Sequence, residues 1–300
     1  MGEAVSNTSE LPKLSIVVPS YNQADMLEEC LTTILKQDYP NLEVLVIDGL
    51  SADHTPQIVE KYSDLVTEFV SEKDSGQPEA VTKGLGRATG DVVHWHAADD
   101  VILPGAFHAV AEHFASHPGT DLVFSDGMGF MPETRRVTFG ATRRWITFED
   151  MALFFGRFQS DCAYWRHRIT PDGLPLDDSK PLMCDEDFFW RMWPGHVYRW
   201  IPHRLGAWRN HTDQVSKRVD PASLEADRAD TQHIVREKMG WSDDDVRALK
   251  RRHYLRHLLL NRIGVKAHSG LRRLWRYATF DAGRKRYARW FYDEWLKPMR

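Results

Sequence analysis

The sequence has 300 residues, of which 42% are hydrophobic, enough for one large α/β domain with an appendage because single cores stop growing near roughly 250 to 300 residues. No stretch approaches the roughly 20 consecutive apolar residues of a membrane-spanning helix, and residues 1–12 lack the basic and apolar blocks of a signal peptide. We therefore expect a cytoplasmic protein. The cysteines Cys30, Cys162 and Cys184 are odd in number and widely spaced, which favours reduced thiols over disulfides or a zinc site.

The formal net charge of −4 conceals two oppositely charged parts. Residues 247–300 contain 16 Lys or Arg against 3 acids, which leaves a net charge of −17 on residues 1–246. The acidic body argues against nucleic acid as a partner. The basic segment suits either an anionic membrane surface, at the inner face of the cell membrane, or packing on the body or on a second copy in a homo-oligomer. Both alternatives use the same apolar and aromatic residues, which are Leu255, Leu258, Leu259, Ile263, Trp275, Tyr277, Trp290 and Trp295.

Short apolar runs alternate with amphipathic segments along the first hundred residues, a rhythm typical of a parallel, doubly wound sheet covered by helices. The predicted strands are Leu14 to Val18, Leu42 to Ile47, Val66 to Val70, Asp91 to His96 and Asp121 to Phe124. The predicted helices are Asp25 to Gln37, Thr55 to Tyr62, Gln77 to Ala88 and Pro104 to Ser116. A mixed region follows, and the chain is helical in character from Ala222 onward. Ligands of such sheets bind beyond the carboxyl ends of the strands.

The first three strand ends carry polar candidates. Residues 19–23 lack the glycines that let a backbone wrap a pyrophosphate, which counts against a dehydrogenase. Tyr21 is a candidate for contact with a nucleobase, although a plain helix-entry turn also explains the segment. Asp48 is placed to accept a hydrogen bond from a base or ribose. After the third strand, a charged loop that includes Asp74 precedes Lys83, a candidate phosphate partner, and solvated loop charges are the alternative.

The fourth strand delivers two adjacent carboxylates, Asp99 and Asp100, to the ligand edge of the sheet. Oxygen ligands at this point suit Mg²⁺ or Mn²⁺ bound through one or two carboxylates and substrate phosphates. Such a cation would neutralise charge on a diphosphate leaving group. The alternative makes both residues caps for the next helix. His94 and His96, on one face of the strand, are read as core residues rather than metal ligands.

A second acidic group, Asp185-Glu186-Asp187, opens a predicted amphipathic helix. Acids at a helix N-terminus complement the helix dipole. A carboxylate presented there beside a sugar site is also suited to deprotonate an acceptor hydroxyl.

Taken in order and spacing, these segments resemble the family 2 inverting glycosyltransferases with the GT-A fold, in the bacterial branch with a GQSDAINKG-like stretch. The resemblance runs from about residue 13 to 218. It implies a Rossmann-like mixed sheet that binds a nucleotide sugar. The matching segments are residues 14–23, 37–43, 47–49 and 71–84, where Pro78 and Thr82 depart from the signature, and the late segment 208–216.

The resemblance also implies residue roles. Asp185 stands at the position of the catalytic base, six residues before Arg191. The implied nucleotide-sugar residues are Pro19, Tyr21, Asp48, Asp74, Lys83 and Asp99. The implied metal residues are Asp100 and His211, with Mn²⁺ or Mg²⁺ as cofactor. The implied acceptor-side residues are Gln159, Glu186 and Arg209, and either Arg209 or His211 is expected to reach the diphosphate or the metal.

We therefore expect an inverting glycosyltransferase that moves a sugar from a nucleoside diphosphate sugar, with uridine as the expected nucleoside, to a glycan or lipid-linked hydroxyl acceptor. The alternatives are a nucleotidyltransferase, which would favour a glycine-rich phosphate loop, and a non-catalytic sugar- or nucleotide-binding relative. The expected organisation is a flexible N-terminus (1–12), a nucleotide-sugar-binding α/β half (13–126), an acceptor-side subdomain (127–218) and a basic helical extension (219–300).

Overall fold

A seven-stranded mixed sheet forms the centre of the protein. The computed structural model describes residues 11–139, 159–170, 175–180, 183–211, 214, 221–266 and 284–298. The strand order in this sheet is β10-β6-β9-β4-β1-β2-β3. Its strands are β1 (Leu14–Ser20), β2 (Leu42–Asp48), β3 (Glu68–Ser71), β4 (Val92–Trp95), β6 (Leu122–Ser125), β9 (Ala163–Arg166) and β10 (Tyr198–Ile201).

Helices cover both faces of this sheet, as the apolar patterning predicts. One face packs on α1 (Ala24–Leu35), α2 (Thr55–Lys61) and α4 (Ala106–Ser116). The other packs on α3 (Gln77–Leu85) and α5 (Cys184–Met192). Because β1, β2 and β4 are buried on both faces, they read as continuous apolar runs rather than alternating ones. The four N-terminal strands and four helices are confirmed, with ends that differ by one to three residues.

The sheet is mixed rather than parallel, because of a strand from the middle of the chain. β9 lies between β4 and β6 and is antiparallel to both. β10 then extends the sheet beyond β6 in the parallel sense. The residue pattern predicted only parallel strands, whereas the resemblance implied the mixed sheet that is observed. Segments 13–126 and 127–218 therefore share one sheet, and their separate roles stay a prediction.

A smaller sheet has the strand order β5-β11-β7-β8. Its strands are β5 (Val101–Ile102), β7 (Met128–Met131), β8 (Arg136–Phe139) and β11 (Gly206–Arg209). The antiparallel pairing of β5 with β11 brings the end of β11 next to the residues that precede β5. This contact between distant parts of the chain places Arg209 beside Asp99 and Asp100.

The described part of the basic extension is helical. It comprises α6 (Pro221–Met239), α7 (Asp243–Lys266) and α8, which covers 284–290 and ends in a π-helical turn at Phe291–Trp295. α8 packs on the smaller sheet, where Phe291 is fully buried against Phe130. Of the apolar residues predicted to line this extension, Leu255 is exposed and Trp295 half-buried. The described part of the chain does not include the side chains of Leu258, Leu259 and Ile263. It also does not include residues Trp275 and Tyr277.

Among the described helices, none combines the length and apolar character that crossing a membrane requires.

Glu43 ties β2 to β1 and to the turn before β4. Lys13 Nζ donates to its carboxylate at 2.7 Å, Ser15 Oγ at 2.5 Å and Thr89 Oγ1 at 2.6 Å. Burial alone would raise the pKa of Glu43, but these hydrogen bonds outweigh burial and lower the pKa to about 2. The carboxylate therefore stabilises the folded protein in its charged form.

We expect Glu43→Gln to lower the free energy of unfolding by about 2 kcal/mol at pH 7. Because the folded-state pKa is depressed, the contribution of Glu43 is complete above its ordinary pKa of 4.5 and is lost as the pH falls towards 2. Urea unfolding curves at several pH values measure the difference. Glu68→Gln, which breaks the exposed pair with Arg87, is the control and should cost less than about 1 kcal/mol. An equal effect of Glu43→Gln at pH 7 and at pH 3 would contradict this account.

Candidate active site

A cavity of about 470 Å³ opens at the carboxyl ends of β1, β2 and β4. We call it the donor cavity. Its lining residues are Pro19, Ser20, Tyr21, Gln23, Gly49, Lys73, Asp74, Ser75, Gly76, Gln77, Ala80, Ala97, Ala98 and Asp99. It therefore brings together four of the predicted nucleotide-sugar residues, which are Pro19, Tyr21, Asp74 and Asp99.

The entrance of the donor cavity combines an exposed aromatic ring with a carboxylate. Tyr21 is 62% exposed, although it follows a buried strand. The Asp74 carboxylate accepts the Gly76 backbone N–H at 3.0 Å, and burial raises its pKa. A Cβ at Gly49 would lie 3.0 Å from Asp74 Oδ2 and 3.2 Å from Tyr21 Cδ2. Because Gly49 has no side chain, the Tyr21 ring and the Asp74 carboxylate can both lie close to the backbone at this position.

Two predicted residues lie apart from the cavity wall. Asp48 is fully buried and accepts hydrogen bonds from the Ser51 backbone N–H at 3.0 Å and the Ser71 hydroxyl at 2.6 Å. Lys83 pairs with Glu72 and Glu79, each at 2.9 Å. Lys73, which sequence reasoning did not select, lines the cavity instead. No periodic signal separates the two lysines in the sequence; the loop conformation decides between them.

Asp99 and Asp100 form the turn between β4 and β5. Asp99 lines the donor cavity, and its Oδ2 lies 3.1 Å from His211 Nε2. Asp100 Oδ1 accepts the Arg209 backbone N–H at 2.8 Å. Burial, followed by repulsion from Asp99 and Asp161, raises the pKa of Asp100 well above its ordinary value. The turn is thus a concentration of negative charge.

Arg209 holds this turn from the inside of the protein. Its Nε donates to the Asp99 carbonyl at 2.7 Å, and its guanidinium pairs with Glu29 and lies 4.7 Å above the ring of Phe130. With 5% of its surface exposed, Arg209 supports the acidic turn and does not face an open acceptor side. His211 is similarly buried, and as placed its Nε2 is directed at Asp99.

Asp161 connects the acidic turn with Asp185. It precedes β9, and because β9 is antiparallel to β4, the start of β9 lies at the edge where β4 ends. Burial, together with the charges of Asp185 and Asp99, raises the pKa of Asp161 to about 7. Sequence reasoning missed this residue because no strand was predicted at Ala163–Arg166. An antiparallel assignment of β9 would have found it.

Asp185 lies in the first turn of α5 and is half-buried. The Glu186 backbone N–H donates to Asp185 Oδ1 at 2.8 Å, while the Glu186 side chain is buried. Asp187 faces the opposite way and accepts Arg191 Nε at 2.6 Å. The buried Lys180 lies 3.5 Å from Asp187 and 2.5 Å from Asp230, and so fixes α5 against α6.

The other candidates are structural as placed. Gln159 Oε1 accepts the Gly127 backbone N–H at 3.1 Å. His94 and His96 are fully buried, and His94 Nδ1 lies 2.8 Å from the Ala163 carbonyl. Burial lowers the pKa of His96 to about 3. The prediction that both histidines are core residues is confirmed.

The acidic turn suits a divalent cation bound jointly with a ligand. Among the described residues, no three His, Cys, Asp or Glu side chains are grouped to hold a metal by themselves. Mg²⁺ and Mn²⁺ sites that use one or two carboxylates with substrate phosphates need no such group. Burial, followed by the charges of Asp99 and Asp161, raises the pKa of Asp100, and a bound cation would instead stabilise its charged form. Asp99 and Asp100 therefore fit this type of site, whereas His211 would first have to leave Asp99.

A sequence model of the family described as Glycosyl transferase family 2 matches residues 15–162. This segment contains the donor cavity, the acidic turn and Asp161. Over residues 15–162, the chain is therefore similar to glycosyl transferase family 2.

Curated relatives match over about a third of the chain. GalNAc(5)-diNAcBac-PP-undecaprenol beta-1,3-glucosyltransferase of Campylobacter jejuni is 32% identical over 106 residues, 34% of this chain and 34% of that protein. Poly(ribitol-phosphate) beta-N-acetylglucosaminyltransferase TarS of Staphylococcus aureus is 38% identical over 97 residues, 30% of this chain and 17% of TarS. The chain thus matches about a third or less of the length of these relatives.

Solved structures show the same fold. S. aureus TarS 1-349 in complex with UDP has a TM-score of 0.63 at 20% identity, covering 88% of this chain and 78% of that chain. The mannosyltransferase PcManGT from Pyrobaculum calidifontis, in complex with GDP-Man and Mn²⁺, has a TM-score of 0.52 at 18% identity, covering 91% and 81%. At these identities the likeness concerns the fold, which is GT-A as the resemblance implied.

We expect Asp161→Asn to change how stability depends on pH. A carboxyl group with a folded-state pKa of about 7 binds a proton that the unfolded chain has released near pH 4. The free energy of unfolding of the wild type should therefore fall between about pH 4 and pH 7, by roughly 2 to 4 kcal/mol more than that of Asp161→Asn. Denaturant unfolding in the presence of a chelator measures both slopes.

The control for this experiment is Asp178→Asn, which changes an exposed aspartate and should leave the wild-type slope unchanged. Parallel curves for wild type and Asp161→Asn would show that residue 161 does not hold the proton.

Proposed function

We propose that the chain is an inverting, metal-dependent glycosyltransferase that moves a sugar from a nucleoside diphosphate sugar, with uridine as the nucleoside, to a hydroxyl group in bacterial glycan assembly. The observation that carries the proposal concerns Asp99, which takes part in both the donor cavity and the group of acidic residues around Asp161. It lines the donor cavity, and its charge acts on Asp161 together with that of Asp185. This electrostatic link of Asp161 with both Asp99 and Asp185 supports a site in which the donor and the predicted catalytic base are neighbours.

The donor cavity suits a nucleotide. The exposed face of Tyr21 offers a stacking surface for a base, and such stacking contributes about 1–3 kcal/mol per base. Asp74 offers a hydrogen-bond acceptor beside it, and Lys73 adds a cation on the wall. Uridine is supported by the UDP complex of TarS, and GDP by the complex of PcManGT. We favour uridine because TarS is also 38% identical to this chain over 97 residues.

Asp99 and Asp100 would hold the divalent cation, Mn²⁺ or Mg²⁺. When bound, the cation would stabilise the negative charge of the departing diphosphate. Arg209 keeps both residues in position through the Asp99 carbonyl and the Asp100 carboxylate. Because Arg209 is itself buried and paired with Glu29, the turn is organised before any ligand arrives.

Asp185 would act as general base. Its carboxylate takes the proton of the acceptor hydroxyl while that oxygen forms a bond to the anomeric carbon and the bond from that carbon to the diphosphate breaks. One displacement inverts the configuration. The first turn of α5 is fixed by the ion pairs that Asp187 forms with Arg191 and Lys180. Within that turn, the Glu186 N–H donates to Asp185 and so orients its carboxylate.

The acceptor is proposed to be a glycan or a lipid-linked glycan, supported by the undecaprenol-linked substrate in the name of the C. jejuni relative. Of the two interpretations of the basic extension, the packing of α8 on the smaller sheet favours attachment to the body. Contact of the extension with a membrane stays a prediction.

We expect UDP with Mn²⁺ to raise the Tm, and the rise to vanish with a chelator. A ligand at a hundredfold excess over its Kd stabilises the folded state by about 2.7 kcal/mol. A thermal-shift screen of UDP, GDP, CDP and ADP measures the effect and identifies the nucleotide. Asp100→Ala should remove the Mn²⁺-dependent part, whereas Ala at the exposed Asp64 should not. An equal UDP shift with Mn²⁺ and with chelator would exclude the proposed metal role.

We expect Asp185→Asn to reduce turnover by roughly a hundredfold to ten-thousandfold, the range for loss of a general base. The Kd for UDP with Mn²⁺ should change less than about twofold, because Asp185 lies outside the lining of the donor cavity. UDP release from the UDP-sugar, with glycan and lipid-linked acceptors, measures turnover, and Asp178→Asn is the matched control. Substantial turnover by Asp185→Asn would remove residue 185 from the chemistry.

A further inference from the structure

A second cavity, of about 730 Å³, lies between the β7–β8 hairpin and α8. We call it the basic cleft. The charged residues that line it are Arg135, Arg136, Arg284, Lys285, Arg289 and Asp293. It shares no lining residue with the donor cavity. The cleft is thus a separate feature of the surface, built from two parts of the chain that are far apart in sequence.

The basic cleft carries a large excess of positive charge. It has five cationic side chains and one acid, and that acid, Asp293, pairs with Arg135. Arg136 and Arg289 are both exposed at the cleft. Like charges gathered in one concavity repel each other and raise the local concentration of anions. The arrangement therefore favours a ligand with more than one negative charge.

The wall that α8 contributes is fixed by apolar and capping contacts. Phe291 is fully buried, with its ring 5.2 Å from that of Phe130. Lys36 Nζ donates to the carbonyls of Glu294 at 2.9 Å and Trp295 at 2.6 Å. Trp295 Nε1 donates to the Ile102 carbonyl at 3.0 Å. These contacts hold the cations of α8 beside those of the hairpin.

The shape and the side chains point to a phosphate group rather than to a bilayer. A guanidinium binds phosphate oxygens through two parallel hydrogen bonds. The volume falls within the range of roughly 300–1,000 Å³ typical of small-ligand sites. A membrane-binding face needs outward aromatic residues, whereas none of the residues that line the cleft is aromatic. The exposed Trp290 of α8 lies outside this lining. A concave, cationic site of this kind suits a discrete anionic group.

We propose that the basic cleft binds a ligand that carries at least two phosphate charges, as in a pyrophosphate group, at a site separate from the donor cavity. Arg136 from the hairpin and Arg289 from α8 reach the ligand from opposite walls. Asp293 holds Arg135 at the edge of the site.

The test is titration calorimetry of the full chain with inorganic pyrophosphate, in chelator and at low salt. Arg136→Ala/Arg289→Ala should weaken binding by about tenfold or more, since it removes two charge-assisted contacts. Arg251→Ala/Arg252→Ala removes the same charge from exposed positions of α7 and should leave binding within about twofold. UDP binding with Mn²⁺ should be the same in both double variants, which reports on the donor cavity independently.

Equal pyrophosphate binding by the two double variants, or no binding by the wild type, would overturn the proposal. Flotation with vesicles of phosphatidylcholine and phosphatidylglycerol forms the second arm. Vesicle binding that requires Arg136 and Arg289, in a protein that does not bind pyrophosphate, would assign the cleft to a membrane and also overturn the proposal. Circular dichroism melts verify folding, and single Arg289→Gln replaces the double variant if the latter melts early.

Discussion

The concentration of carboxylates at one edge of the main sheet is the constraint on which the site depends. Asp99, Asp100 and Asp161 lie within electrostatic range of one another, and burial adds to their repulsion. Such a cluster persists in a folded protein only where the surrounding structure fixes it. Arg209 provides that support, because it contacts both sides of the turn and is itself held by Glu29. The smaller sheet, which positions Arg209 through β11, is thus part of the site.

The insertion of β9 has a consequence for the chemistry as well as for the topology. In a fully parallel sheet only the residues after each strand meet at the ligand edge. An antiparallel strand reverses this rule and brings the residues before it to the same edge. Asp161 reaches the cluster of Asp99 and Asp100 in this way, since it lies two residues before the start of β9. Asp161 thereby comes within electrostatic range of both Asp99, in the turn after β4, and Asp185, on α5.

Local sequence signals predicted what depends on local structure. Apolar runs identified β1, β2 and β4 because these strands are buried on both faces, and strand ends identified Tyr21, Asp74 and Asp99 at the cavity. What the sequence did not indicate depended on contacts between distant segments. Lys83 lies within the predicted helix, where it forms ion pairs with Glu72 and Glu79. Lys73, in the loop before that helix, lines the cavity wall instead. Arg209 has the charge of a ligand contact, but only the pairing of β11 with β5 shows that it points inward.

Apolar packing keeps the cationic side chains of α8 apart from the acidic residues Asp99, Asp100 and Asp161. Electrostatics alone would draw the basic extension onto the acidic cluster, which would neutralise the charges that a cation needs. Instead, Phe291, Ala288 and Leu296 anchor α8 on the smaller sheet. There its cations face those of the β7–β8 hairpin, an electrostatically unfavourable placement that the buried apolar area offsets. The packing of α8 on the smaller sheet thus places its cations at the basic cleft, which shares no lining residue with the donor cavity.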